Sequence, residues 1–146
     1  MSADLLRVLP PGYSRWYEMD QARIAAFADV TEDWQFIHLD EDRAAQTAFG
    51  GTIAHGFLTL SLLSAMSYEV VPELRGMRAS VNYGFDRVRF VSPVRAGCRV
   101  RGRFAVASVD EGPGRLTVHW DVTLEIEDAE KPALVASWIT RFEMEE

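Results

Sequence analysis

The second half of the chain alternates. Leu116, Val118, Trp120, Val122, Leu124 and Ile126 fall on one face, and Thr117, His119, Asp121, Thr123 and Glu125 on the other, which is the period of a half-buried antiparallel strand. Val100, Phe104 and Val106 alternate with Arg99, Arg101 and Arg103 in the same way, and the run from Asp110 to Gly114 reads as the loop joining the two strands. Leu134, Ala136, Trp138 and Phe142 mark a last strand after a polar turn from Glu127 to Pro132. The first half is helical in pattern. Ile24, Phe27 and Ala28 behind Asp20, a natural N-cap, predict a short amphipathic helix to about Thr31, and Asp40 followed by Glu41 and Asp42 predicts another helical turn to Gln46. From Gly56 to about Val71 apolar residues occupy every face, the mark of a helix buried all round. Residues Met1 to Gly12, with Pro10-Pro11-Gly12, predict an irregular lead-in. One long buried helix followed by three or four antiparallel strands makes an α+β fold, a sheet curled around a helix.

Size and charge narrow this picture. At 146 residues, 48% of them apolar, the chain suits one domain spanning 1–146. The absence of a basic, apolar leader and the short, serine-dotted apolar run near Phe57 to Met66 point to a soluble, cytoplasmic protein outside the membrane. A net charge of −7 argues against nucleic acid as a partner, and the single Cys98 excludes an intramolecular disulfide or a cysteine metal cluster. Three scattered histidines, none in an H-x-x-x-H spacing, give no metal site. Six arginines against one acid between Asp86 and Arg103 form a basic band suited either to phosphates or to a solvated strand face.

The candidate chemistry lies between Thr31 and Ser64, in T-E-D-W-Q-F-I-H-L-D followed by F-G-G-T-I-A-H-G-F-L-T-L-S-L-L-S. Asp33 stands five residues before His38, close enough for both side chains to converge on one water or one substrate atom, or for Asp33 to cap a turn that His38 merely bonds. This stretch resembles the MaoC-like R-specific enoyl-CoA hydratases, whose pattern is G-D-x-N-P-x-H followed by H-G and a buried helix. Asp33, His38, Leu39, Asp40, His55 and Gly56 match it, and the family's helix serine falls on Ser64. Glu32, Gln35 and Phe36 depart from it, standing where the family has Gly, Asn and Pro. The run from Val81 to Val94 also resembles the strand after the helix, so the likeness covers roughly Asp20 to Val100.

The resemblance implies a hot-dog fold, a homodimer, and reversible hydration of trans-2-enoyl-CoA to R-3-hydroxyacyl-CoA without a cofactor. It implies Asp33 and His38 as the catalytic pair holding the water, with their individual protons unassigned because a close pair titrates as a unit. Gly56 suits an oxyanion-binding helix start, or simply close packing against the sheet. Ser64 either faces the acyl pocket or bonds back to the Leu60 carbonyl. His55 reads as a structural residue at the helix start, His119 lies on a polar strand face, and Asn82, which could reach the pocket or pair in a bulge, is left out of the site. The altered loop residues leave two other functions open, a non-catalytic acyl-thioester-binding protein and a thioesterase.

Overall fold

The computed structural model describes residues 2–145. The alternating second half forms the expected sheet, built from β3 (Met77–Phe90), β4 (Arg99–Gly112), β5 (Arg115–Ile126) and β6 (Leu134–Met144), all antiparallel, in the order β4-β5-β6-β3. Two short strands, β1 (Gly12–Tyr13) and β2 (Tyr17–Glu18), pair with the outer edge of β4. The even-numbered residues of β5 from Leu116 to Ile126 are all buried, as the alternation requires. Where a loop was expected at Asp110–Gly114, β4 instead continues to Gly112, which pairs with Arg115. Only Pro113 and Gly114 turn the chain, and Gly114 takes a φ of 64° that favours glycine.

Helices α2 (Gln21–Thr31) and α4 (Glu41–Ala45) start where expected: the Asp20 and Asp40 carboxylates accept from the Arg23 and Arg43 backbone N–H groups at 2.8 and 3.1 Å. The lead-in is more ordered than its composition suggests. Ser2–Arg7 form α1, whose Ala3 and Leu6, one turn apart, are buried in the main core. Met1 lies outside the described residues.

The long buried helix is two helices. α5 (Gly56–Ser61) and α6 (Leu63–Tyr68) meet at Leu62, and one stripe of Leu58, Leu63 and Met66 packs into the core with Phe104, Trp120 and Trp138 from the sheet. Phe57 and Tyr68 are two-thirds exposed, so the described residues do not cover the run on every face. β3 is exposed in the same way. It ends the sheet, every one of its 14 residues is at least partly accessible, and Val81, Tyr83, Phe85 and Phe90 stand out from it.

The arginine band does not form one surface. Arg87 and Arg89 lie on β3, separated by β5 and β6 from Arg99, Arg101 and Arg103 on β4. Arg99 and Arg101 are held by Glu127 and Glu125 at 2.6 and 2.7 Å, and Arg101 also lies over the rings of Tyr13 and Trp16. Arg95 donates to the Phe49 carbonyl at 3.0 Å. Among the described residues, no helix is long and apolar enough to cross a membrane.

Candidate active site

Asp33 is carried on the turn between α2 and α3 (Phe36–Leu39), and His38 on α3 itself. The three residues that depart from the family pattern explain themselves here. Glu32 ends α2 in the left-handed region, φ 60° and ψ 26°, the conformation for which glycine is preferred. Gln35 is the N-cap of α3 but makes no side-chain cap, where asparagine is a strong capping residue. Phe36 is the first helical residue, the position that suits proline, and the Arg43 guanidinium lies 4.1 Å over its ring. The loop therefore has the backbone that a Gly, Asn and Pro would favour, with less local support. Glu32→Gly should raise stability by up to about 1 kcal/mol, seen as a melting temperature higher by roughly 2–4 °C.

A polar network fixes α3 from below. The Gln21 amide donates to the His38 carbonyl at 2.7 Å, and the buried Thr52 hydroxyl shares its one proton between Gln21 Oε1 at 2.7 Å and Glu41 Oε2 at 2.9 Å. Glu41 also accepts from the Thr52 backbone N–H at 3.0 Å, and those two Thr52 bonds hold its carboxyl below the usual range.

The His38 ring is buried, and its Nδ1 lies 2.7 Å from the Ile53 carbonyl. A carbonyl only accepts, so Nδ1 carries the proton and Nε2 of the neutral ring is left with a bare lone pair, the form a general base requires. Burial pushes the imidazole below its ordinary 6.5; the Ile53 bond pulls it up, His55 pushes it further down, and the Asp33 charge pulls it up. We expect the acid limb of a His38-dependent rate, read as kcat/KM against pH, to fall below pH 6.5. The unfolded chain takes up this proton at a higher pH than the folded one, so His38 makes stability decline as pH drops from about 6.5 towards its folded value.

His55, 17 residues further on, completes the cluster. A carboxylate oxygen of Asp33 and one ring nitrogen from each of His38 and His55 lie within 4.8 Å of one another. The two imidazoles stack with centroids 3.7 Å apart and planes at 23°. Stacked rings send their in-plane lone pairs along nearly parallel lines, a poor arrangement for one metal ion on both. The spacing of His38 and His55 in the sequence gave no sign of this cluster, because helix α4 and the Gly50-Gly51 turn intervene.

His38 and Gly56 border the same groove, ≈ 420 Å³ and mostly apolar, with Ile37, Phe49, Phe57 and Phe90 among its walls. Gly56 opens α5 directly after His55, and its bare Cα faces the Phe90 ring: a Cβ there would sit 2.9 Å from two ring carbons. Phe57 also borders a second pocket of ≈ 200 Å³, lined by Leu60, Ser64, Asn82, Phe85 and Trp138. The Ser64 hydroxyl accepts from Asn82 Nδ2 at 3.2 Å instead of bonding back to the Leu60 carbonyl; the back-bond of that kind is made by Ser61 to Phe57 at 2.6 Å. Asn82, left out of the candidate residues, thus reaches Ser64 from a point where the β3 register shifts.

Residues 9–128 match the family model described as MaoC like domain. The chain is 53% identical to Nodulation protein N of Rhizobium leguminosarum bv. viciae over 131 residues, covering 88% of this chain and 81% of that protein. It is 41% identical to 3-hydroxyacyl-thioester dehydratase Z of Mycobacterium tuberculosis over 132 residues, covering 90% and 87% of the two chains. Among solved structures it resembles the (R)-hydratase of A. caviae with a TM-score of 0.72 at 26% identity, covering 90% of this chain and 92% of the other. The antiparallel sheet packed over its central helices is the hot-dog fold of these hydratases.

Proposed function

From the premise that this chain belongs to the MaoC-like domain family, we propose that it is an R-specific enoyl-thioester hydratase acting reversibly on trans-2-enoyl-CoA and R-3-hydroxyacyl-CoA, in the cytoplasm. The observation that supports this most is that Asp33 clusters with His38, whose Nε2 is bare, and that His38 and the glycine start of α5 border one apolar groove. The acyl chain lies in the groove, with the thioester oxygen at the Gly56 N–H and the helix start, where the charge that develops on the enolate is stabilised. Asp33 and His38 hold a water between them. As its oxygen bonds to C3, the pair takes one of its protons and delivers a proton to C2, so that the elements of water add across the double bond. Ser64, with Asn82 behind it, borders the neighbouring pocket that takes the far part of the acyl chain.

Mixing the protein with crotonyl-CoA tests the reading. Hydration removes the enoyl absorbance without releasing thiol, a thioesterase releases thiol, and a binder does neither while holding the ligand. The relatives are themselves divided between a dehydratase named for its substrate and a protein named for nodulation, so the binding arm is run alongside.

We propose further that the working form is a homodimer. β3 leaves one edge and a row of aromatic side chains uncovered, beside the exposed faces of α5 and α6, and an edge of this kind is protected by pairing with a second copy. Light scattering at micromolar concentration should give about twice the 16.4 kDa chain mass. A monomer with full activity would count against it.

A further inference from the structure

We infer that His55 is a positioning residue for the Asp33 and His38 pair, acting through the Asp33 backbone; this rests on the hydratase reading above. Five contacts converge on its ring and main chain. Nε2 lies 3.0 Å from the Asp33 carbonyl oxygen, which only accepts, so Nε2 carries the proton. One face of the imidazole stacks on His38 at 3.7 Å, and Phe27 of α2 packs against it at 5.0 Å with its ring tilted by 58°. Its own carbonyl accepts from the Leu58 and Thr59 N–H groups at 3.0 and 3.3 Å, fixing the first turn of α5.

This residue thereby joins the acid, the base and the helix start in one rigid unit. Asp33 itself is exposed, and among the described residues the only bond to its carboxylate is a long one from the Gln35 N–H at 3.4 Å. Its backbone carbonyl, held from the buried side by His55, therefore sets where that carboxylate stands relative to His38. His55 is only 2% exposed, and among the described residues nothing bonds its other nitrogen, Nδ1. The bond that Nε2 makes is the property to test.

Glutamine places its amide N–H near where imidazole Nε2 stands, whereas asparagine is too short and phenylalanine fills the space without a donor. On crotonyl-CoA, His55→Gln should stay within about tenfold of the unaltered protein in kcat, while His55→Asn and His55→Phe fall by roughly a hundredfold with KM changed less than about threefold. The Trp34 amide nitrogen, which shares a peptide plane with the Asp33 carbonyl, gives a second readout independent of turnover. Its 15N resonance should keep its position in the Gln variant and move in the Asn and Phe variants. Glutamine and asparagine alike in both measurements, with melting curves showing folded proteins, would overturn the inference. An unaltered protein that hydrates nothing would instead contradict the hydratase reading, and the Trp34 resonance would still decide whether His55 holds the loop.

Discussion

Asp33→Asn should lower turnover on crotonyl-CoA by roughly two to four orders of magnitude while leaving the protein folded. The substitution is nearly isosteric and leaves the Asp33 backbone carbonyl, and hence its bond from His55, in place. What it removes is the charge that, in the proposed mechanism, helps orient and deprotonate the water. His38→Ala should have an effect of similar size, because it removes the bare Nε2 that the Ile53 carbonyl directs away from itself. If the two side chains act on one water, the double variant is scarcely worse than either single one, whereas independent contributions would multiply. His38 is buried and stacked, so its loss also disturbs packing, and Asp33→Asn is the cleaner of the two. Folded single variants that retain near-normal hydration would remove the pair from the mechanism.

The second large effect is expected at Gly56. A methyl group there meets the Phe90 ring at 2.9 Å. Phe90 is half exposed on the edge strand, so the ring can swing aside with little loss of stability. It swings, however, at the wall of the groove that His38 and Gly56 border. Gly56→Ala should therefore reduce kcat/KM by about a hundredfold, the size of effect seen when an oxyanion contact is lost, while the melting temperature shifts by only a few degrees. Adding Phe90→Ala separates two explanations. If the loss comes from crowding between the methyl group and the ring, the double variant recovers much of the activity; if the approach of the thioester oxygen to the helix start is itself blocked, it does not.

How much of this was legible from the sequence depended on whether a residue faced a core. β5 could be read almost residue by residue, because one side packs against the helices and the other does not, and a period of two is the direct consequence. β3 has no such contrast. All of its residues are accessible, and its alternation is correspondingly lost, so only the likeness of Val81 to Val94 to a family strand marked it. The apolar run from Gly56 to Val71 misled for a related reason. Its residues are apolar on every side, which in one chain means burial on every side, yet Phe57 and Tyr68 are uncovered here and suited to a second chain. The break at Leu62 left no trace, since nothing in L-S-L-L-S disfavours continuing a helix strongly.

The motif singled out Asp33, His38 and Gly56 as candidates, and the structure puts Asp33 with His38 in one cluster and His38 with Gly56 beside one groove. Glu32 became intelligible only when its φ of 60° was known, because a departure from glycine reads very differently at an extended and at a left-handed position. The His55 contact could not have been seen at all. It joins residues 22 positions apart through a main-chain carbonyl, and a carbonyl has no letter in the sequence.

The central claim is that water adds to carbon 3 of an enoyl thioester, and oxygen-labelled water follows that atom directly. Crotonyl-CoA incubated with the protein in 18O-enriched water should yield 3-hydroxybutyryl-CoA carrying the label in its C3 hydroxyl, with the thioester intact and the R configuration. Label in the carboxylate of a free acid, or none in any product while the ligand remains bound, would contradict the account.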